Sequence, residues 1–294
     1  MQPLIPADVP SAQEQQFIKN YNAITCETDR VFFFACDHKI EHLSRERPEH
    51  FFYVAKTARV AMATHLGLIA RYGRQHKDVV YIAKLNGKTN FVRPDMADPL
   101  SAPCWTVADV VTVAKNSGIC LAGIGLTIYL GSIHEENMLS WAAQTIFHAH
   151  QQGLVAIVWA YPRGKAVTHE TDGNSIAGAV GVAVSLGADV VKIKVPEAGK
   201  VSRISAFHDI VASAGNTKVI YGGGEKKDER LLLKELDTYL HEGGVQGISL
   251  GRNIFQRPLD QAVALSTVVA QMVYQDVAYE VALSTYHDLV YKKK

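Results

Sequence analysis

The run from Asp189 to Val195 reads DVVKIKV, a strand-like stretch of valine and isoleucine interrupted by Lys192 and Lys194. Side chains alternate along a strand, so the two lysines share one face while Val191 and Ile193 share the other. An amine in apolar surroundings is costly unless a partner neutralises it or its pKa falls. A neutral, desolvated amine attacks carbonyl carbon, and a second cation on the same face would depress its pKa further. The pattern therefore fits Schiff-base chemistry. It fits equally a lysine pair reaching from a strand end to a carboxylate.

Other chemistry-bearing residues also stand at the ends of apolar runs. VFFFACD (31–37) closes on Asp37, which either caps the next helix or faces a cation, and His38, Lys39, Glu41 and His42 follow at once. In LVAIVWAYPRGK, Trp159 and Tyr161 share a face, Pro162 ends the run and Arg163 lies just beyond. Such a pair can be packing alone, or an indole that walls a substrate beside a phenol that moves protons. Arg163 suits an anion or a surface salt bridge. Two glycine turns, YGGGEKK (221–227) and SLGRNIFQR (249–257), contain Gly222, Gly223, Gly224 and Gly251, with Lys226 and Arg252 adjacent. Bare backbone N–H groups and a following helix N-terminus attract phosphate. Lys84, near the end of VVYIAKL, either adds positive potential inside the mouth or, the reading preferred here, pairs with Asp37.

Eight β-branched runs must position these residues: 31–37, 58–64, 79–85, 120–128, 154–161, 189–195, 218–223 and 245–251. Helical periodicity separates them, clearest at 135–152, 174–187, 202–214, 226–242 and 259–274. Continuously apolar strands indicate a parallel sheet covered on both faces. Eight strand–helix units in a chain of this length predict an α/β (β/α)8 TIM barrel, whose chemistry lies at the C-terminal ends of the strands. The glycine turns then follow strands seven and eight, where barrels bind phosphate. No dinucleotide fingerprint follows the first strand.

With 30 basic and 29 acidic residues among 294, no overall field favours nucleic acid or membrane. No apolar run reaches the roughly 18 residues of a membrane span, the N-terminus lacks a signal-peptide pattern, and four scattered cysteines form no disulfide framework. A cytoplasmic protein is expected. Residues 1–28 are expected to form an extension laid over a single barrel domain (29–294) rather than part of its core. The stretch 88–105 reads as a long loop at the active-site face, and Lys292-Lys293-Lys294 as a solvated tail.

Together the segments ACDH, AKLNGKT, LTIYLGS, WAYPRGKAV, ADVVKIK, YGGGEK and GRNIFQR resemble, in order, the archaeal-type class I fructose-bisphosphate aldolases, relatives of deoxyribose-phosphate aldolase. The resemblance runs from about Val31 to Arg257, and the separation of Tyr161 from Lys192 agrees with it. It implies cleavage of fructose 1,6-bisphosphate in glycolysis, or its synthesis in gluconeogenesis, through a covalent Schiff base with no metal or other cofactor. By resemblance Lys192 is the Schiff-base lysine, Tyr161 the proton-transfer residue and Asp37 the carboxylate of the first strand. Trp159 would contact substrate, and Arg163, Gly222, Gly223, Gly224, Gly251 and Arg252 would bind phosphate. Related transaldolase-like synthases share the aspartate, tyrosine, lysine and YPRG text but match less well at the tryptophan. A non-catalytic phosphate-binding barrel is a third possibility. The family also implies a homo-oligomer.

Overall fold

Eight parallel strands close into a barrel in the computed structural model, which describes residues 3–42, 44–92, 96–199 and 201–292. Strands β1 (Val31–Ala35), β2 (Ala61–His65) and β3 (Val80–Lys84) come first. Two-residue strands β4 (Asn86–Gly87) and β5 (Ala102–Pro103) then pair antiparallel at the base of the long loop. The remaining barrel strands are β6 (Cys120–Leu130), β7 (Val155–Pro162), β8 (Val190–Ile193), β9 (Lys218–Gly222) and β10 (Gly247–Leu250). Closure is between the first and last strands, with Val31 opposite Gly247. The expected (β/α)8 barrel is thus the observed one.

The helices are α1 (Glu14–Thr25), α2 (His38–Glu41), α3 (Pro48–Ala58), α4 (Leu66–Tyr72), α5 (Val107–Ser117) and α6 (Glu135–His150). They continue with α7 (Gly173–Ser185), α8 (Arg203–Ala214), α9 (Glu229–His241), α10 (Arg252–Phe255), α11 (Leu259–Gln275) and α12 (Tyr279–Tyr291). Polar caps start several of them: Thr106 and Asp109 form a reciprocal capping box on α5, and Asp172 and Ser202 cap α7 and α8. The second strand begins at Ala61 rather than at residue 58. Ala58 still belongs to α3, and Arg59 ends that helix in the left-handed region at φ 53°.

Strand alternation divides the core in two. Phe32, Phe34, Met62, Tyr81, Ala83 and Val191 face outward beneath the helices. Val31, Phe33, Ala35, Ala63, Ile82, Ile157, Val190 and Ile220 point into the barrel. The N-terminal segment belongs to the second set, a correction to its expected place outside the core. Phe17, Tyr21 and Ile24 of α1 are buried against the interior residues and form the barrel floor. An open lower end would expose those apolar side chains to water, so the helix seals it. Asp8 fastens this segment through buried His150, whose Nδ1 lies 2.9 Å from the Asp8 carboxylate and whose Nε2 lies 3.1 Å from Asp189.

The long loop lies at the C-terminal end of the barrel, as expected, although residues 93–95 are outside the described set. Asp98 accepts hydrogen bonds from the backbone N–H of Lys165 (2.7 Å) and of Ile133 (3.4 Å), joining the loop to the segments that follow β6 and β7. Of the C-terminal lysine run, only Lys292 is among the described residues, and it pairs with Asp288. Because Phe17 is fully enclosed, Phe17→Ala should destabilise the protein by roughly 3–5 kcal/mol in urea denaturation. A loss below about 1 kcal/mol would show that α1 is not part of the cooperative core.

Candidate active site

Lys192 follows Val190 at an interval of two on β8, so its side chain enters the barrel interior above the hydrophobic floor. Trp159 is its cross-strand neighbour on β7, and the lysine Nζ stands 5.1 Å from the indole centroid. Lys84 enters from β3 by the same parity and is fully buried. Its Nζ donates to Thr127 Oγ1 (2.5 Å), lies 3.8 Å from Asp37 Oδ2 and sits 4.1 Å from the Trp159 centroid. The crowding is possible because residue 125 is glycine. A Cβ there would lie 2.7 Å from the Trp159 ring and 2.8 Å from Lys84 Cδ. Gly222 gives similar clearance to Lys192, whose Cε is 3.3 Å from the position of an added Cβ.

The expected pairing of Lys84 with Asp37 is therefore present. Asp37 stands at the start of α2 but makes no side-chain capping bond. Burial pushes its carboxyl pKa up, and the neighbouring charges of Lys84 and Lys192 outweigh that effect, so it lies below the usual range. Lys192 is lowered to about 8. Burial is the largest cause; Asp37 opposes it, and the charge of Lys84 adds to it. Glu41, noted in the sequence only as part of a charge cluster, lies in the same cavity and is pushed up to about 7 by burial and by Asp37.

The cavity has a volume of about 370 Å3 and is lined by Asp37, Trp159, Tyr161, Arg163, Lys192, Gly222, Gly223, Gly224, Gly251 and Arg252. Every residue singled out for catalysis or substrate binding thus meets in one place. Tyr161 is held well above its ordinary phenol pKa by burial and by Glu41 and Asp37, so the resting side chain is protonated.

The two lysines of β8 differ. Lys194 lies just past the strand and forms an ion pair with Glu170, whereas Lys192 remains deep. Arg163 also grips Glu170, through Nε and Nη2 at 3.0 Å each.

The two glycine turns need correction in detail. After β9, α9 does not begin until Glu229, and the helix after Gly251 is a single turn. Helix N-termini therefore add less positive potential than the sequence suggested. Lys226 is directed to the Gln256 carbonyl, while Lys227 lines the cavity and pairs with Glu235. What shapes the first turn is Asn253, whose buried amide donates to the carbonyls of Gly223 (3.1 Å) and Glu225 (3.0 Å) and accepts from Lys227 N–H (2.9 Å). Asn86 has a similar part on the opposite wall: it bonds both the N–H and the carbonyl of Thr127, which holds Lys84. Both asparagines stood in quoted segments, but nothing in the sequence showed that their amides were buried.

Among the described residues, no group of three or more His, Cys, Asp or Glu side chains could hold a metal ion, and no helix is long and apolar enough to cross a membrane.

A parallel barrel with a low-pKa amine, a carboxylate and a phenol converging at its mouth defines a catalyst for carbonyl chemistry. Residues 29–257 match the model of the DeoC/LacD family of aldolases, and the chain belongs to that family. It is 39% identical over 295 residues to a fructose-bisphosphate aldolase/6-deoxy-5-ketofructose 1-phosphate synthase of Methanocaldococcus jannaschii, covering 96% of this chain and 94% of the relative. The structure is similar to a fructose-bisphosphate aldolase from Slackia heliotrinireducens, with TM-score 0.93 and 37% identity over 97% of this chain and 94% of the other. It also resembles an archaeal fructose-1,6-bisphosphate aldolase whose catalytic lysine is covalently bound to the carbinolamine intermediate. There the TM-score is 0.75 and the identity 29%, over 88% and 99% of the two chains.

Removing the charge of Lys84 should raise the Lys192 pKa, because that charge disfavours a second cation and also occupies Asp37. In Lys84→Met the pH profile of amine labelling at Lys192, read by peptide mass spectrometry, is expected to move to higher pH. A profile still centred near 8 would mean that burial alone sets the shift.

Proposed function

We propose that this chain is a class I aldolase that reversibly cleaves fructose 1,6-bisphosphate to dihydroxyacetone phosphate and glyceraldehyde 3-phosphate. One observation carries the reading: a buried lysine with a pKa of about 8 stands beside Trp159 in a cavity lined by Asp37, Tyr161 and two glycine turns. At pH 7.5 such an amine is roughly one-quarter neutral, against about one in a thousand for a free lysine.

In this mechanism the neutral Lys192 amine adds to the ketone carbon to give a carbinolamine. Asp37 relays the proton that lets hydroxide leave as water, producing an iminium ion. The iminium nitrogen accepts the electron pair released when the bond between the third and fourth carbons breaks. The hydroxyl on the fourth carbon loses its proton to the Tyr161 oxygen, and that proton then goes to the enamine carbon. A protonated phenol suits the reverse reaction, where it delivers its proton to the aldehyde oxygen. For cleavage the phenol must first lose its proton to solvent through the open mouth of the barrel, and the iminium charge on Lys192 supplies a cation that favours the phenolate. Trp159 walls the reacting carbons. Gly222, Gly223, Gly224, Gly251 and Arg252 take the phosphate next to the ketone, and Arg163 takes the distal one.

A second reading is favoured by one observation: the 39%-identical relative is also named a synthase of a 6-deoxy sugar phosphorylated only at its first carbon. The Schiff-base half-reaction is common to both, so they differ only at the far end of the cavity. The reading includes a single barrel unit over 29–294 preceded by the segment 1–28, a cytoplasmic location and a homo-oligomer. Exposed Phe91, Met96 and Ile133 near the long loop support self-association. It also includes independence from metal.

Borohydride reduction with dihydroxyacetone phosphate should fix a three-carbon adduct on Lys192. Lys192→Met should abolish adduct and activity, and Lys194→Met should keep the adduct. An adduct mapped to Lys194 or Lys84 would overturn the assignment. Activity should also survive prolonged EDTA treatment; loss restored by a divalent ion would point instead to Lewis-acid catalysis.

A further inference from the structure

The carboxylate of Glu170 makes three charge-assisted contacts: a fork to Arg163, at 3.0 Å on each arm, and an ion pair with Lys194. Two cations converging on one group of oxygens is the arrangement that recognises phosphate. Both cations line the cavity, and both are positioned independently of Glu170. Arg163 lies 5.5 Å from the Tyr129 centroid, and Lys194 lies 6.0 Å from that of Tyr161. Those rings would keep the cations in place if the carboxylate left. Glu170 itself is partly exposed, in the irregular segment between β7 and α7, so swinging it into water carries little desolvation penalty. Charge supplies the driving force. Glu170 balances only one of the two positive charges, whereas a phosphate dianion balances both.

We propose that Glu170 is a specificity-determining residue that occupies the distal phosphate subsite as a built-in anion. This rests on the aldolase reading above and extends it to the choice of acceptor. A substrate whose far end carries no phosphate binds with Glu170 in place and the subsite already neutralised. A bisphosphate must first displace the carboxylate, so its apparent affinity is reduced by the fraction of molecules in which the subsite is filled. The same residue therefore lets one barrel handle sugars phosphorylated at both ends or at one.

The test compares fructose 1,6-bisphosphate with fructose 1-phosphate in the wild type and Glu170→Gln, which keeps the size of the side chain and removes its charge. The expected result is a KM for the bisphosphate lowered roughly fivefold or more, with the change in kcat much smaller and the KM for the monophosphate the same or higher. A bisphosphate KM that stays the same or rises would make Glu170 a mere support for Arg163. An equal fall for both substrates would make its effect unspecific; either outcome overturns the proposal. Calorimetric titration with inorganic phosphate gives a readout that needs no turnover. Glu170→Gln should bind phosphate more tightly than the wild type, and Arg163→Ala in the Glu170→Gln background should remove that gain. If the bisphosphate is not cleaved at all, the aldolase reading fails, and the titration still decides the subsite. No gain in Glu170→Gln would sink the inference.

Discussion

Two amines and one paired carboxylate share a space closed to water on every side but one. Lys84 pairs with Asp37, which leaves Lys192 beside Trp159 with no ion-pair partner of its own among the described residues. Desolvation lowers its pKa, Asp37 limits the fall, and Lys84 prevents Asp37 from neutralising it completely. The rest of the site follows from that balance. Gly125 and Gly222 exist as gaps for lysine stems, Thr127 and Asn86 hold Lys84, and Trp159 lies beside both amines. A change in any of these alters the charge state of one nitrogen.

The barrel supplies this arrangement through strand parity. Interior residues recur at intervals of two, so the positions two residues after Val190 on β8, Ile157 on β7 and Ile82 on β3 (Lys192, Trp159 and Lys84) must all face the axis. Apolar side chains fill the lower layers, and on β3 and β8 the last interior positions are taken by Lys84 and Lys192. Floor and active site are successive layers of the same column.

Much of this was legible in the sequence because lysine in DVVKIKV and aspartate after VFFFAC break the rule for buried strands. The same rule placed Trp159 and Tyr161 together. What was not legible depended on distant partners. The amides of Asn253 and Asn86 resemble any loop asparagine until the chain folds around them. The grip of Glu170 on Arg163 and Lys194 joins residues from two segments with no shared motif. The first 28 residues looked peripheral because their polar composition masked Phe17, Tyr21 and Ile24, which meet their partners only across the barrel floor. The glycine turns carried the reverse error: local text implied helix starts that the longer loop after β9 and the single turn of α10 do not provide.

The closure of β1 on β10 sets an order on biosynthesis. Phe32 is hydrogen-bonded through both N–H and carbonyl to the hydroxyl of Tyr274, which also donates to the Ile24 carbonyl, and Arg30 meets Asp276. Residues in and beside the first strand thus complete their contacts with residues 242 to 246 positions further along the chain. A chain emerging from the ribosome has an open sheet until β10 and α11 are available. During that interval its phenylalanine-rich first strand is an exposed edge, which makes the arrival of β10 and α11, rather than any local nucleus, the point at which the apolar interior is sealed.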